Sequence, residues 1–85
     1  MKQQALKNLI CETVLRRHGT KTLDLVSILI NDPDVVDGNL DQAAYHLFDT
    51  VIDLVQEKRL VKINYIIKPD HLGSFLLPAE TEIQP

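Results

Sequence analysis

The side chains able to do covalent or metal chemistry in this chain are few and scattered. Histidines stand at positions 18, 46 and 71, each in a different stretch, at no spacing that would converge them on a metal ion. Cys11 is the only cysteine, so neither an internal disulfide nor a cysteine-based zinc site can form, which agrees with a reducing compartment. Ser27, Ser74, His71 and the aspartates could be assembled on paper into a nucleophile, a base and an orienting acid. No nucleophile elbow, phosphate loop or dinucleotide fingerprint frames them. Asp70-His71 reads as turn chemistry with a solvent-exposed imidazole. The sequence therefore offers no catalytic residue, no metal ligand and no cofactor motif, and the expectation is a protein that is not an enzyme.

What remains is the chemistry of recognition, and charge is its main signal. The net charge of -3 conceals a strong asymmetry. Residues 1–21 hold Lys2, Lys7, Arg16, Arg17 and Lys21 against Glu12. Residues 22–57 hold Asp24, Asp32, Asp34, Asp37, Asp41, Asp49, Asp53 and Glu57, with neither lysine nor arginine. Residues 58–85 are nearly balanced. An acidic middle segment suits a partner with a basic surface and would steer its approach. Mimicry of nucleic acid toward a nucleic-acid-binding partner is a sharper form of the same idea, and plain solvated surface is the blander one. Tyr45 and His46 add an exposed pair of a kind common at binding hot spots.

These residues must be positioned by elements that the hydrophobic pattern outlines. Leu6, Leu9, Ile10, Thr13 and Val14 have helical spacing, which predicts a helix over 3–18 with Gly19 as its left-handed cap. Cys11 and Leu15 widen its apolar stripe, which leaves room for a dimer or partner contact. Thr22 is the expected N-cap of a second, short helix through Leu25, Val26, Ile28, Leu29 and Ile30, and Asn31-Asp32-Pro33 ends it. Residues 35–38 then read as a turn.

Asn39 with Gln42 three residues on has the form of a capping box and opens the most regular segment of the chain. Leu40, Ala43, Ala44, Leu47, Phe48, Val51, Leu54 and Val55 share one face. Gln42, Tyr45, His46, Asp49, Asp53, Gln56 and Glu57 share the other, and Lys58 and Arg59 complement the helix dipole at its end. After Arg59 the period becomes two. Val61, Ile63, Tyr65 and Ile67 are the expected buried face of a strand, alternating with Lys62, Asn64, Ile66 and Lys68. Residues 69–73 supply turn chemistry, residues 74–77 a return strand, and Pro78 a stop.

Three helices followed by a β-hairpin is the order of a winged-helix domain. The residues that carry the resemblance are the short second helix over 22–31, the longer amphipathic helix over 39–57, and the junction Leu54-Val55-Gln56-Glu57-Lys58-Arg59-Leu60-Val61, which drops from a charged helix end into a strand. The chain thus resembles the winged-helix family across nearly its whole length, through pattern and order with no diagnostic motif. The fold class expected is α+β, mainly α, with three helices and a C-terminal hairpin wing: one domain over 1–78 and a tail over 79–85.

In winged helices that bind DNA, the resemblance implies that the third helix enters the major groove and the wing reaches the backbone or minor groove. On this chain the reading face would be Asp41, Gln42, Tyr45, His46 and Asp49, and the wing tip residues 68–73. Affinity for DNA rests on lysine and arginine neutralising phosphates, and this helix-turn-helix portion has neither. The expectation is therefore a protein-interaction module in a regulatory or nucleic-acid-processing assembly, with Asp41, Gln42, Tyr45, His46, Asp49 and Asp53 facing a basic protein partner. The alternative is a small DNA-binding transcriptional regulator, acting as a homodimer, that contacts phosphates through Arg16, Arg17 and Lys21, with Lys68 and His71 on the wing, or that uses an atypical third helix.

Size and patterning bound the rest. Eighty-five residues hold one hydrophobic core, and a chain this short offers shallow pockets rather than an enclosed active site. Apolar residues at 45% and charged residues at 25% are ordinary values for a folding domain. Apolar runs fall far short of a membrane span and the first residues do not form a signal-peptide core, so a cytoplasmic (or nuclear) location is expected.

Overall fold

A computed structural model describes residues 2–36 and 38–79. The element order is α1 (Gln3–Arg16), β1 (Thr20–Lys21), α2 (Thr22–Leu29), α3 (Leu40–Gln56), β2 (Leu60–Lys68) and β3 (His71–Pro78). The strands form an antiparallel sheet in the order β1-β3-β2, with Thr20 opposite Leu76 and Lys21 opposite Phe75. The expected three helices and closing hairpin are present. The two-residue strand β1 is an addition that periodicity over so short a stretch does not reveal.

One core joins the three helices to β2 and β3. Leu6, Ile10 and Val14 of α1 meet Leu25, Val26 and Leu29 of α2, Leu47, Val51 and Leu54 of α3, and Leu60 and Leu76 of the sheet. The helical contributions recur every three or four residues, which places them on one side of each helix. Two buried threonines inside helices are satisfied locally: the Thr13 hydroxyl donates to Leu9 O and the Thr50 hydroxyl to His46 O, each at 2.7 Å. No buried side-chain polar atom among the described residues lacks a partner.

The helix ends depart from expectation in instructive ways. Asn39 does cap α3, its Oδ1 accepting from Gln42 N at 3.1 Å. Thr22 does not cap α2. Lys21 occupies that position without a side-chain bond, and the buried Thr22 hydroxyl instead lies 2.6 Å from Ser74 Oγ, tying α2 to β3. The left-handed residue after α1 is His18 (φ 56°), not Gly19, which follows with φ 99°. His18 N bonds Leu15 O and Gly19 N bonds Val14 O, the paired bonds of a Schellman ending. Lys58 (φ 63°) ends α3 the same way, with Lys58 N on Val55 O and Arg59 N on Leu54 O. Gly19 is required for a second reason: a Cβ there would stand 2.7 Å from Phe75 Cε1 and 2.8 Å from Leu77 Cδ2. The turn expected at 35–38 begins earlier, at Asp32, whose carbonyl accepts from Val35 N and Val36 N and whose Oδ1 accepts from Asp34 N. Asp37 lies outside the described residues.

The hairpin corrects two readings. Its turn is only Pro69-Asp70, so His71, Leu72 and Gly73 belong to β3, and Pro78 pairs with Leu60 as the last strand residue. Residue 73 looked like turn glycine, yet Tyr65 stands opposite it in register, and a Cβ on Gly73 would meet the tyrosine ring at 2.5–2.7 Å. The aromatic ring covers the strand glycine.

The sheet also faces the opposite way from expectation. Cross-strand partners share a face, so Leu60, Lys62 and Asn64 lie with Pro78, Leu76, Ser74 and Thr20. That face holds the buried Leu60 and Leu76 and meets the helices. Val61, Ile63 and Tyr65 turn outward with Leu77, Phe75 and Gly73, and Ile63 is 48% exposed. A one-residue bulge at Ile67 separates the Ile66–Leu72 pair from Lys68–His71, and beyond it neither face of the hairpin is covered. Of the tail expected over 79–85, only Ala79 lies within the described residues.

Candidate functional site

Helix α3 owes its length and straight pattern to the residues that fix it: an Asn39 cap, an unbroken 3.6-residue apolar repeat and a Schellman ending. With Leu47, Val51 and Leu54 turned inward, the remaining positions divide into two flanks separated by 100° steps. Gln42, His46, Asp49 and Asp53 fall on one flank. Ala44, Phe48, Ile52 and Val55 fall on the other, and Asp41 and Tyr45 border it.

All six residues expected to face a partner, Asp41, Gln42, Tyr45, His46, Asp49 and Asp53, are exposed. Among the described residues, the carboxylates of Asp41, Asp49 and Asp53 make neither ion pair nor hydrogen bond. Glu57, the next acid along, is engaged: it pairs with Lys7, whose side chain is only 15% exposed. Gln3 Nε2 donates to Thr50 Oγ1 at 3.1 Å and Arg59 Nη2 to Asn8 Oδ1 at 3.1 Å. These three polar contacts clasp α1 against the polar flank of α3, so Arg59 does more than complement the dipole.

The six residues do not form one surface. Asp41 and Tyr45, with Ala44 and Phe48, line a shallow depression made by a single stripe of α3. Phe48 also lines a second depression, of about 180 Å³, whose other walls are Lys21 and Leu23 at the start of α2 and Tyr65, Leu72 and Gly73 of the hairpin. The two depressions share Phe48, and the charged side chains that line them are Asp41 in the first and Lys21 in the second. Leu23, Tyr45 and Leu72 are 65%, 73% and 72% exposed. Phe48 does pack, half-buried, against the core as its place on the apolar face suggests, whereas Ile52 falls on neither expected face and Leu72 was expected in the turn. The signal was present in Tyr45, Phe48 and Ile52 at i, i+3 and i+7, a second helical stripe beside the core stripe.

The basic candidates form two groups. Arg16 pairs with Glu12 at 3.1 Å, and Arg17 Nε donates to Thr20 Oγ1 at 3.3 Å, while Lys21 is exposed in β1. Lys68 and His71 flank the hairpin turn, with His71 Nδ1 3.0 Å from Asp70 Oδ1. Lys21 is opposite Phe75, four residues along β3 from His71, a separation of about 13 Å at ~3.3 Å per residue.

The residues that could be arranged as a triad are not brought together, since Ser74 Oγ is bonded to Thr22 and His71 to Asp70. Among the described residues there is no group of three or more His, Cys, Asp or Glu side chains placed to hold a metal ion. No described helix is long and apolar enough to cross a membrane.

The architecture so defined is an α+β domain of three helices and a three-stranded antiparallel sheet, about half of it helical. Comparison of the chain with family models, curated proteins and solved structures finds no match.

Proposed function

We propose that this chain is a winged-helix protein-interaction module that binds a partner with a basic surface through α3. The order α1-β1-α2-α3-β2-β3, with β1 added to the hairpin beside β3, supports the winged-helix reading, in which α2 and α3 form the helix-turn-helix and β2–β3 the wing. A place in a regulatory or nucleic-acid-processing assembly follows from that resemblance alone. The observation that carries the partner reading is the pair of exposed carboxylates Asp49 and Asp53 on one flank of α3, with no lysine or arginine in residues 22–57 to offset them. Reversing Asp49 and Asp53 to lysine should remove a specific species that the unaltered protein retains from extracts of its source, with the circular dichroism spectrum unchanged. If the retained species are the same for both proteins, those carboxylates are solvated surface and the reading falls.

The exposed Arg16, Lys21 and Lys68 favour a second reading, a DNA-binding regulator that approaches phosphates with the end of α1 and the hairpin tip. The proposal predicts no measurable binding to random duplex DNA at low salt. Tight binding that weakens steeply with salt, and again on substitution of Arg16 and Arg17 or of Lys68, would establish the DNA reading instead.

A further inference from the structure

The face of the sheet turned away from the helices carries three cross-strand rows, stacked along β3. The first holds Lys21, Phe75 and Ile63, the second Gly73 and Tyr65, and the third His71 and Lys68. Successive rows are two residues apart on β3, about 6.6 Å. A lysine thus stands at each end, with the two aromatic rings between. Both rings rest on glycines: Tyr65 covers Gly73, and Phe75 lies against Gly19, where a Cβ would stand 2.7 Å from its Cε1. A side chain at either glycine would lift the ring off the sheet. The rings are half-buried, while Lys21, Lys68, His71 and Ile63 are exposed. The three strands hold Lys21, Lys62 and Lys68 with neither aspartate nor glutamate, and the carboxylate of the hairpin turn, Asp70, is bonded to His71.

Cation, ring, ring and cation in that order suit a nucleic-acid strand whose bases are unpaired. Bases stack on aromatic rings whatever their sequence, and lysines neutralise the phosphates between them. A duplex keeps its bases stacked on one another and offers the two rings nothing. Val61, Ile63 and Leu77, which share the face with the rings, supply no partner for a 2′-hydroxyl, so the sugar they suit is that of DNA. We infer that the outer face of the sheet binds single-stranded DNA, with successive bases on Phe75 and Tyr65 and phosphates at Lys21 and Lys68. This face is not the acidic flank of α3, and neither reading depends on the other.

The test is a titration of the full chain, ¹⁵N-labelled, with an oligodeoxyuridylate of about ten nucleotides at low salt. The expected result is saturable binding with amide shifts centred on Lys21, Gly73 and Phe75. Affinity should fall with salt at a logarithmic slope of about -1.4, the value for two phosphate contacts on a single strand. Lys68→Gln, at an exposed position that the fold does not need, should halve that slope. Tyr65→Leu, which keeps the face apolar but removes a ring, should weaken binding by about tenfold. Absence of binding, an unchanged slope in Lys68→Gln, or undiminished binding by folded Tyr65→Leu overturns the inference. Equal or tighter binding of a duplex of the same length overturns it in favour of the DNA-regulator reading. Equal or tighter binding of the matching oligouridylate overturns it in favour of RNA. Shifts at Ile63 and Phe75 that grow with protein concentration in the absence of DNA would assign the face to a second copy of this chain, and overturn it too.

Discussion

His18 and Lys58 end their helices in the left-handed conformation that a Cβ disfavours, at a cost of about 1–2 kcal/mol each. Neither side chain needs to be there for the bonds that close the helix, because those bonds run between backbone groups. Lys58→Gly should therefore raise stability by about 0.5–1 kcal/mol, the relieved strain exceeding the extra entropy glycine loses on folding. Urea denaturation would read this as a higher midpoint at unchanged slope. Gly19→Ala has the opposite expectation, a loss of about 2–3 kcal/mol, since its Cβ would meet both the φ penalty and the Phe75 and Leu77 side chains. The sequence suggested a glycine cap at this place because glycine is the usual left-handed residue. It could not show that the cap falls one residue earlier and that Gly19 is held by the sheet. Thr22 was misread for a similar reason: its hydroxyl suits an N-cap, but the nearest partner it finds, Ser74, is fifty-two residues away.

At the scale of elements, what was legible is what local periodicity decides. The 17-residue helix α3, its Asn39 cap and its inward Leu47, Val51 and Leu54 follow from a repeat long enough to average out exceptions. Leu47→Ala should cost about 2–5 kcal/mol, as truncation of a fully buried leucine does, measured by thermal or urea unfolding. The facing of β2 was not legible, because both of its faces carry apolar residues and a period of two does not say which one meets the core. Leu60 and Leu76 decide it, one at the start of β2 and the other on the middle strand. The hairpin past Tyr65 makes its own prediction. Tyr65→Ala should cost only about 0.5–1 kcal/mol globally, since it removes one cross-strand contact. Amide exchange at Ile66, Leu72 and Gly73 should nevertheless accelerate, because the ring that shields Gly73 is gone. Uniform acceleration across the core would instead make Tyr65 part of global stability.

At the scale of the molecule, charge and apolar surface are divided between the two flanks of a single helix. One flank is clasped to α1 by the Gln3–Thr50, Lys7–Glu57 and Asn8–Arg59 contacts and carries the exposed Asp49 and Asp53. The other opens toward the hairpin through Phe48. The candidate site was thus half legible: its exposed acids could be read from a helical wheel, whereas the depression at Phe48 depends on Leu23 and Leu72, which come to it only through the fold. Lys7→Ala should destabilise by about 1 kcal/mol in unfolding experiments while leaving the circular dichroism of the folded state unchanged. The strand order has another consequence. β3, the last element among the described residues, lies between β1 and β2, and it supplies Leu76 to the core. During synthesis the sheet has no centre until residues 71–78 have emerged, so α1, α2 and α3 must wait as loosely associated helices with their apolar sides open to solvent or chaperone. A chain ended after Asp70 should show helical circular dichroism but no cooperative thermal transition.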